Sequence, residues 1–380
     1  MNRVPVVRYR RTWRAGTGLA ALSLLAAVAP SGVDAQTASR VGVGGAFESY
    51  TFAEPAQAGL EKITLMTLPF SGRFPLGQRA NLMVVGAFAS GKVTAADGAE
   101  SELSGPTDIQ VGVDMALIPD LLTLSVMASA PTGPSSHDAQ QALVAGVVAG
   151  DLLPFRVSSW GSGGGIGMQM AATKRFEGFG AGLSVGYRQA GEFEPVDGEA
   201  FSYRPGNEIQ ARLALDTEMG RNGKGSLVVG FQRFGDDTVD DTNLFRSGNR
   251  IEVLGTYAFP MGYRGSAALY GGVLHRANGA YLDPTVPESP SQDLVLLGGI
   301  LRRGLGKGFL TPRVDVRVFR SQDGVGQGYV AGVGAAYEVR SGTVTFAPFA
   351  TGRMGRVTVR EGAESGITGF EAGLTLRFGR

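Results

Sequence analysis

Residues 107–133 alternate strictly between apolar and polar or small side chains, and this pattern limits what the chain can form. Pro119 and Asp120 divide the stretch into two arms of roughly ten residues, the length of a tilted strand that crosses a bilayer. Successive side chains of a strand lie on opposite faces, so the arms form a hairpin with one apolar face. That face points into the core of a soluble sheet or towards lipid in a membrane barrel. On the first arm it carries Ile109, Val111, Val113, Met115 and Leu117.

Similar segments recur along the chain and number about 16, an even number as bacterial barrels require. Short turns alternate with longer loops rich in Gly, Pro, Asp and Ser, as in outer-membrane barrels. The alternation assigns no facing to residues 265–275 and 293–302. We therefore predict an all-β fold: a single closed antiparallel transmembrane β-barrel of about 14–16 strands in an up-and-down meander. The side chains predicted to face lipid include Ile109, Val111, Val113, Leu213, Val314 and Val316.

The first 35 residues have the features of a secretory signal peptide. Five arginines precede an apolar run from Ala15 to Val28, which is too short to span a membrane. Val33, Asp34 and Ala35 then provide a small-x-Ala cleavage site. The predicted organisation is a signal peptide over residues 1–35 and a β-barrel over residues 36–380, located in the bacterial outer membrane.

Composition agrees with such a barrel and excludes several classes of function. Glycine contributes 59 of 380 residues, about twice ordinary usage, which disfavours a helical protein. Removing residues 1–35 takes five arginines and one aspartate from 35 basic and 34 acidic residues. The remaining 30 and 33 give a net charge of −3, which predicts no nucleic-acid partner. The absence of cysteine excludes disulfides, thiol catalysis and cysteine-bound metals.

The C-terminal strand indicates further partners. Its apolar and polar side chains alternate, and an aromatic residue, Phe378, lies close to its end. An alternating final strand that ends in an aromatic residue resembles the signal that outer-membrane barrels present to their assembly machinery. Outer-membrane lipid, lipopolysaccharide and this machinery are the expected partners. Aromatic residues at strand ends, Tyr50 and Phe52 among them, suit the girdles that barrels carry at the two membrane interfaces.

Three stretches resemble one family of outer-membrane barrels. They are Asp108-Ile-Gln-Val-Gly-Val-Asp114 with the return into Ala130-Pro-Thr-Gly133, the Gly-rich residues 160–188, and residues 203–216. The chain is similar there to the long-chain fatty-acid and aromatic-hydrocarbon transporter superfamily, especially to transporter-like proteins associated with the meta pathway of phenol degradation. The resemblance implies passive uptake of hydrophobic molecules across the outer membrane. The fatty-acid members carry an N-terminal hatch inside the barrel, for which residues 36–40 leave no room.

We therefore expect an outer-membrane channel for the passive uptake of small hydrophobic or aromatic molecules. A general porin for polar solutes and a plugged barrel with a structural or surface-interaction role stay open as alternatives. The two histidines, His137 and His275, have no recognisable partner motif, so we predict no enzymatic activity, no cofactor and no metal site.

Charged residues on the polar face of the strands are the candidates to line the lumen. Their alternative role is lateral salt bridging, which fixes strand register without contact with a solute. The candidates are Asp108, Asp114, Glu208, Arg212, Asp216, Glu252, Arg313, Asp315 and Arg317.

One external loop, at about residues 131–162, is far longer than ordinary connections, and loops of this length are usually functional or disordered. Its middle, residues 139–153, is too apolar for a solvated linker. A helix that begins at Ser136 or Asp138 and ends before Pro154 is expected to fold into the barrel mouth and narrow it. The alternative is a hairpin that extends the strands above the membrane. The candidates for the constriction are Leu143, Val144, Val147 and Val148.

Overall fold

The computed structural model describes residues 39–220, 222–360 and 363–379, and the predicted signal peptide lies outside these residues. Strands dominate, because alternating segments are separated by turns that glycine or Asp stabilise; Asp120, for example, has φ 62° in the turn after the first arm of the hairpin. The helices are α1 (Pro55–Ala58) and α2 (Ala139–Val148). The strands are β1 (Arg40–Phe52), β2 (Leu60–Leu76), β3 (Ala80–Ala95), β4 (Glu100–Pro106), β5 (Ile109–Ile118), β6 (Leu122–Ala130), β7 (Gly165–Arg175), β8 (Phe179–Ala190), β9 (Tyr203–Arg204), β10 (Glu208–Met219), β11 (Gly223–Phe234), β12 (Asp236–Val239), β13 (Thr242–Arg246), β14 (Arg250–Pro260), β15 (Gly265–Arg276), β16 (Ala280–Tyr281), β17 (Gln292–Leu305), β18 (Gly308–Ser321), β19 (Gly328–Ser341), β20 (Val344–Arg360) and β21 (Ala363–Phe378).

The main sheet closes into a barrel of 16 antiparallel positions, which confirms the predicted fold. Each strand pairs with its neighbours in chain order, and β1 pairs with β21 from Val41↔Phe378 to Phe52↔Ile367. Of the 17 strands in this sheet, β4 and β5 share one position, because β4 pairs with one end of β3 and β5 with the other. A closed barrel leaves no unpaired edge, so every strand can satisfy its backbone groups within a membrane.

The connections define two ends of the barrel. Turns such as residues 77–79, 119–121 and 306–307 lie at one end, together with the start of β1 and the end of β21. The longer connections lie at the other end, where β9, β12, β13 and β16 form a separate four-stranded sheet. Short turns face the periplasm in bacterial barrels, so the long loops are external. Neither α1 nor α2, the helices of the described residues, has the length and apolar character of a membrane-spanning helix.

The outer face of the wall is an apolar belt. Val111, Leu213, Val314 and Val316 lie on this face and are 40%, 44%, 54% and 41% exposed. Strand register carries the same facing to their neighbours, so Val113 lies beside Val126 and Ile109 beside Ala130. Exposing so many apolar side chains to water would be unfavourable, whereas the hydrocarbon of a bilayer solvates them.

Tyr50 and Phe52 correct one expectation. They do not belong to an interfacial girdle, because they point into the barrel and are only 1% and 6% exposed. Their neighbours on the inner face, Ile63 and Leu65, are equally buried. The barrel therefore contains a hydrophobic core of its own, formed where the β6–β7 connection enters the lumen.

Candidate functional site: the barrel lumen

The connection between β6 and β7, residues 131–164, folds into the barrel. Its helix, α2, begins with a capping box: the Asp138 carboxylate accepts from the backbone N–H of Gln140 (2.9 Å) and Gln141 (2.8 Å), and the Gln141 side chain accepts from the Asp138 N–H (3.3 Å). The helix ends at Val148, several residues before Pro154. We call residues 139–160 the lumen segment.

Helix α2 and the last residue of the lumen segment, Trp160, pack against the inner face of β3 and β4. Val144 and Val148 are 0% and 1% exposed, and Trp160 Nε1 donates to the Ala89 carbonyl at 3.0 Å. Glycine at position 91 permits this contact, since a Cβ there would lie 3.0 Å from both Trp160 and Val144.

Of the four residues expected at the constriction, two therefore face the wall. Val144 and Val148 form the buried face of α2, and Val147 packs partly buried against the same core. Leu143 is 41% exposed and lies on the open side of the helix. Three of the predicted constriction residues thus hold the helix against the wall, and Leu143 alone is exposed on the open side.

Between α2 and Trp160, residues 151–156 of the lumen segment reach the wall formed by β18, β20, β21 and β1. Arg317 Nη1 donates to the Asp151 carbonyl (2.9 Å), and the Phe155 ring lies edge-on to Tyr50 with centroids 5.2 Å apart. Arg156 donates through its backbone N–H to Glu48 (3.2 Å) and through Nε to Glu371 (2.8 Å). From β18 to β4 the contacts span half of the circumference.

A charged network surrounds Arg156. Glu371 accepts from Arg313 Nη2 (3.1 Å) and Arg353 Nη2 (3.4 Å), and Arg353 Nη1 donates to Asp315 (3.0 Å). Arg353 and Glu371 are almost fully buried, so each charge depends on its partners for stability. Arg313 and Asp315 were expected to line the lumen. They lie on the inner face, where they join β18 to β21 and β20 across the intervening β19.

The other polar-face candidates lie in separate places. Asp114 pairs with Arg73 (3.4 Å) and accepts from Ser125 (2.7 Å). Arg212 pairs with Glu252 at 3.4 Å across Gly230, where a Cβ would lie 2.6 Å from the Glu252 side chain.

Three further candidates differ in their surroundings. Asp108 accepts from the backbone N–H groups of Gly133 (3.2 Å) and Ser162 (2.9 Å) and so fixes the base of the long loop. Glu208 lies opposite Arg188 on the inner face, and Asp216 lies opposite Gly180. The polar-face residues do not converge on one site.

An apolar wall on β14, β15 and β17 is a feature that the sequence analysis missed. Leu254, Leu274, Leu294 and Leu296 all lie on the inner face, since register places Leu274 between Glu252 and Leu294, and Leu296 beside Arg317. Their outward neighbours, such as Leu297, are apolar as well. Where both faces of a strand are apolar, the sequence no longer alternates between apolar and polar residues. This loss of alternation in the sequence could have indicated an apolar lumen.

The two histidines lie apart from each other. His275 Nδ1 lies 2.8 Å from Asp293 Oδ1, on the outer face near the external end of β15. His137 lies in the long loop, where its backbone N–H donates to the Pro195 carbonyl (3.1 Å), and burial lowers the pKa of its imidazole. The described residues contain no group of three or more His, Asp or Glu side chains that could hold a metal ion.

Comparisons with known proteins give structural neighbours alone. No protein-family model matches the chain, and no curated protein matches it. A bacterial polysaccharide outer membrane secretin aligns with TM-score 0.47 at 10% identity over 90% of this chain and 98% of that chain. The loop L8 deletion mutant of Vibrio cholerae OmpT, an outer membrane protein, gives 0.43 at 11% over 90% and 100%. An outer membrane channel from Pseudomonas putida F1 gives 0.38 at 12% over 90% and 96%.

The closed barrel, its apolar outer belt and its unequal connections define the class of protein by themselves. These features are those of a porin-like transmembrane β-barrel of the bacterial outer membrane.

Proposed function

We propose that this barrel is a channel for the passive uptake of small hydrophobic or aromatic molecules. The observation that carries the proposal is the apolar wall inside the lumen, formed by Leu254, Leu274, Leu294 and Leu296. Polar side chains line the lumen of a general porin, because its solutes and its water need hydrogen bonds. An apolar lumen wall instead lowers the free energy of a solute that is poorly hydrated.

The lumen segment supplies selectivity in this proposal. It contacts the wall from β18 to β4. On the apolar wall Leu294 packs against the same core, whereas Leu254, Leu274 and Leu296 do not belong to it. A solute must therefore pass between the segment and an apolar surface. The resemblance of residues 108–133, 160–188 and 203–216 to transporters of aromatic hydrocarbons supports the same substrate class.

An uptake experiment tests the proposal. Entry of radiolabelled toluene and glucose is measured in cells that lack the protein, that express it, and that express the double variant Leu294→Gln and Leu296→Gln. We expect the protein to accelerate toluene entry and the double variant to lose most of this gain. A matched control is Thr123→Gln, on the inner face of β6 and away from the apolar wall. Faster glucose entry without faster toluene entry would favour a general porin.

The core inside the barrel favours one second candidate. Among the described residues, eleven buried apolar side chains of the barrel wall pack with six of the lumen segment, which is the arrangement of a barrel plugged for a structural role. The two candidates differ in conductance, since a plugged barrel in a planar bilayer carries no ion current. A barrel without conductance and without toluene uptake would establish the structural role instead.

A further inference from the structure

A lateral row of polar side chains crosses the inner face near the external end of the barrel. Strand register places Gln210 beside Gln232, Gln232 beside Arg250, Arg250 beside Arg276, and Arg276 beside Gln292. We call these five residues the donor row. It runs over β10, β11, β14, β15 and β17, and it contains two positive charges and no carboxylate.

The two arginines of the donor row lie directly opposite each other. Side chains at opposite positions of an antiparallel pair have Cβ atoms about 5 Å apart, and like charges there are destabilising. Among the described residues, no carboxylate lies within salt-bridge distance of either guanidinium. The carboxylates whose charge acts on Arg250 from further away are Asp151, Glu252 and Glu208. Glu252 is engaged by Arg212.

Arg250 also has a buried donor without an acceptor. Its Nε is shielded from solvent and has no hydrogen-bond partner in the described structure. An unsatisfied buried donor is destabilising, and more so when it belongs to a charged group. A bound water or anion is one partner that supplies the missing acceptor at such a group.

On β15 and β17 the surface next to the donor row towards the periplasm is apolar, whereas on β14 the inner-face residue next to Arg250 is Glu252. Leu274 lies two residues from Arg276 on the inner face, and register places Leu294 and then Phe319 beside it. A molecule that contacts the two arginines therefore meets apolar carbon below Arg276, on β15 and β17.

We infer that Arg250 and Arg276 form an anion-binding site in the lumen for a carboxylate that carries an apolar body. Guanidinium groups match carboxylates because their parallel N–H donors form two hydrogen bonds with the two oxygens. The glutamines of the donor row supply further donors, and Leu274 and Leu294 contact the apolar body. This inference rests on the proposed channel function and assigns to it a class of charged solute.

Ion selectivity tests the site. The reversal potential of the full-length wild-type barrel is measured in a planar bilayer under a potassium chloride gradient. We expect a preference for chloride, and we expect Arg250→Gln with Arg276→Gln to lower the chloride-to-potassium permeability ratio by about fivefold, the effect of roughly 1 kcal/mol in a hydrated pore. Arg233→Gln is the matched control, since Arg233 is exposed on the outer face of β11 and should leave the ratio unchanged.

Solute block gives a second readout. Benzoate added on the external side should reduce the wild-type current, and benzyl alcohol at the same concentration should not. The lysine variant Arg250→Lys with Arg276→Lys keeps the charge and should keep the chloride preference but weaken the block.

The outcomes separate this inference from the channel proposal. A barrel that conducts but prefers potassium, or that is blocked equally by benzoate and benzyl alcohol, overturns the anion site and leaves the channel intact. A barrel that carries no current overturns the channel proposal and the anion site together.

Discussion

Arg156 of the lumen segment donates to Glu371, a residue 215 positions further along the chain in the C-terminal strand. The same guanidinium lies 4.4 Å from the centroid of the Phe349 ring. The pair joins the end of the long loop to the strand that closes the barrel against β1. It therefore links the position of the lumen segment to the wall of the closed barrel.

Arg156→Gln should loosen the lumen segment. Glu371 keeps Arg313 and Arg353 as partners, so the barrel should assemble, with an unfolding free energy lower by about 1–3 kcal/mol. Single-channel recording should show a larger or more variable conductance. Arg356→Gln, which removes an exposed pair with Glu364, is the control and should leave conductance unchanged. Identical currents for Arg156→Gln and wild type would show that this contact does not position the segment.

Gly91→Val should displace the lumen segment from β3. Its added side chain would overlap Trp160 and Val144, at a cost of about 1–3 kcal/mol. Trp160 is the only tryptophan after residue 35, so its fluorescence reports on this contact directly. We expect the emission to shift to longer wavelength and to become accessible to iodide. The control is Gly352→Val, where a Cβ meets no atom within 4 Å, and the idea fails if both variants give the wild-type spectrum.

Arginine on the outer face should impair assembly. Val113→Arg or Val316→Arg places a charge in the hydrocarbon, which costs about 2–4 kcal/mol at mid-bilayer. Heat-modifiable migration in detergent gels measures the assembled fraction. Gln110→Arg, on the inner face of the same strand as Val113, should assemble normally. Normal assembly of both outer-face variants would reverse the assigned orientation.

Strict alternation was sufficient to predict the barrel, because a wall between lipid and a polar lumen imposes a period of two. The same rule failed where the lumen is apolar. In β17 the run from Leu294 to Leu297 is apolar on both faces, so no facing could be assigned. The inward aromatics Tyr50 and Phe52 were misplaced for the same reason, since the core that buries them is formed by residues about 100 positions away.

In the long loop, the sequence predicted the helix but not the wall residues that the loop contacts. Asp138 as N-cap and the apolar residues after it predict a helix, and the structure has one. The contacts of Arg156 with Glu48 and Glu371 join segments that are distant in the chain. Neither spacing nor composition encodes such a pairing, so only the fold reveals it.

Acidification should weaken the docking of the long loop at its external base. Burial lowers the pKa of His137 below its ordinary value of 6.5, although Asp138, a hydrogen bond with the Ser136 backbone and Asp197 act in the opposite direction. The Nδ1 atom is buried without a hydrogen-bond partner, so protonation would bury an unpaired donor. The docked loop favours the neutral imidazole, and its stability should therefore be lost as pH falls below 6.5.

The measurement for this effect is iodide quenching of Trp160 as a function of pH. Quenching should increase below the ordinary histidine pKa in the wild type and stay constant in His137→Gln. An equal increase in both proteins would assign the pH effect to other groups.

The most direct test of the account is the single-channel conductance of the barrel with and without residues 140–152. These residues include most of α2 and the segment that Arg317 holds at the Asp151 carbonyl. If the lumen segment constricts a channel, the deletion variant should assemble, as judged by heat-modifiable migration, and should show a clearly larger conductance than the wild type. Equal conductance in a correctly assembled deletion variant would contradict the account.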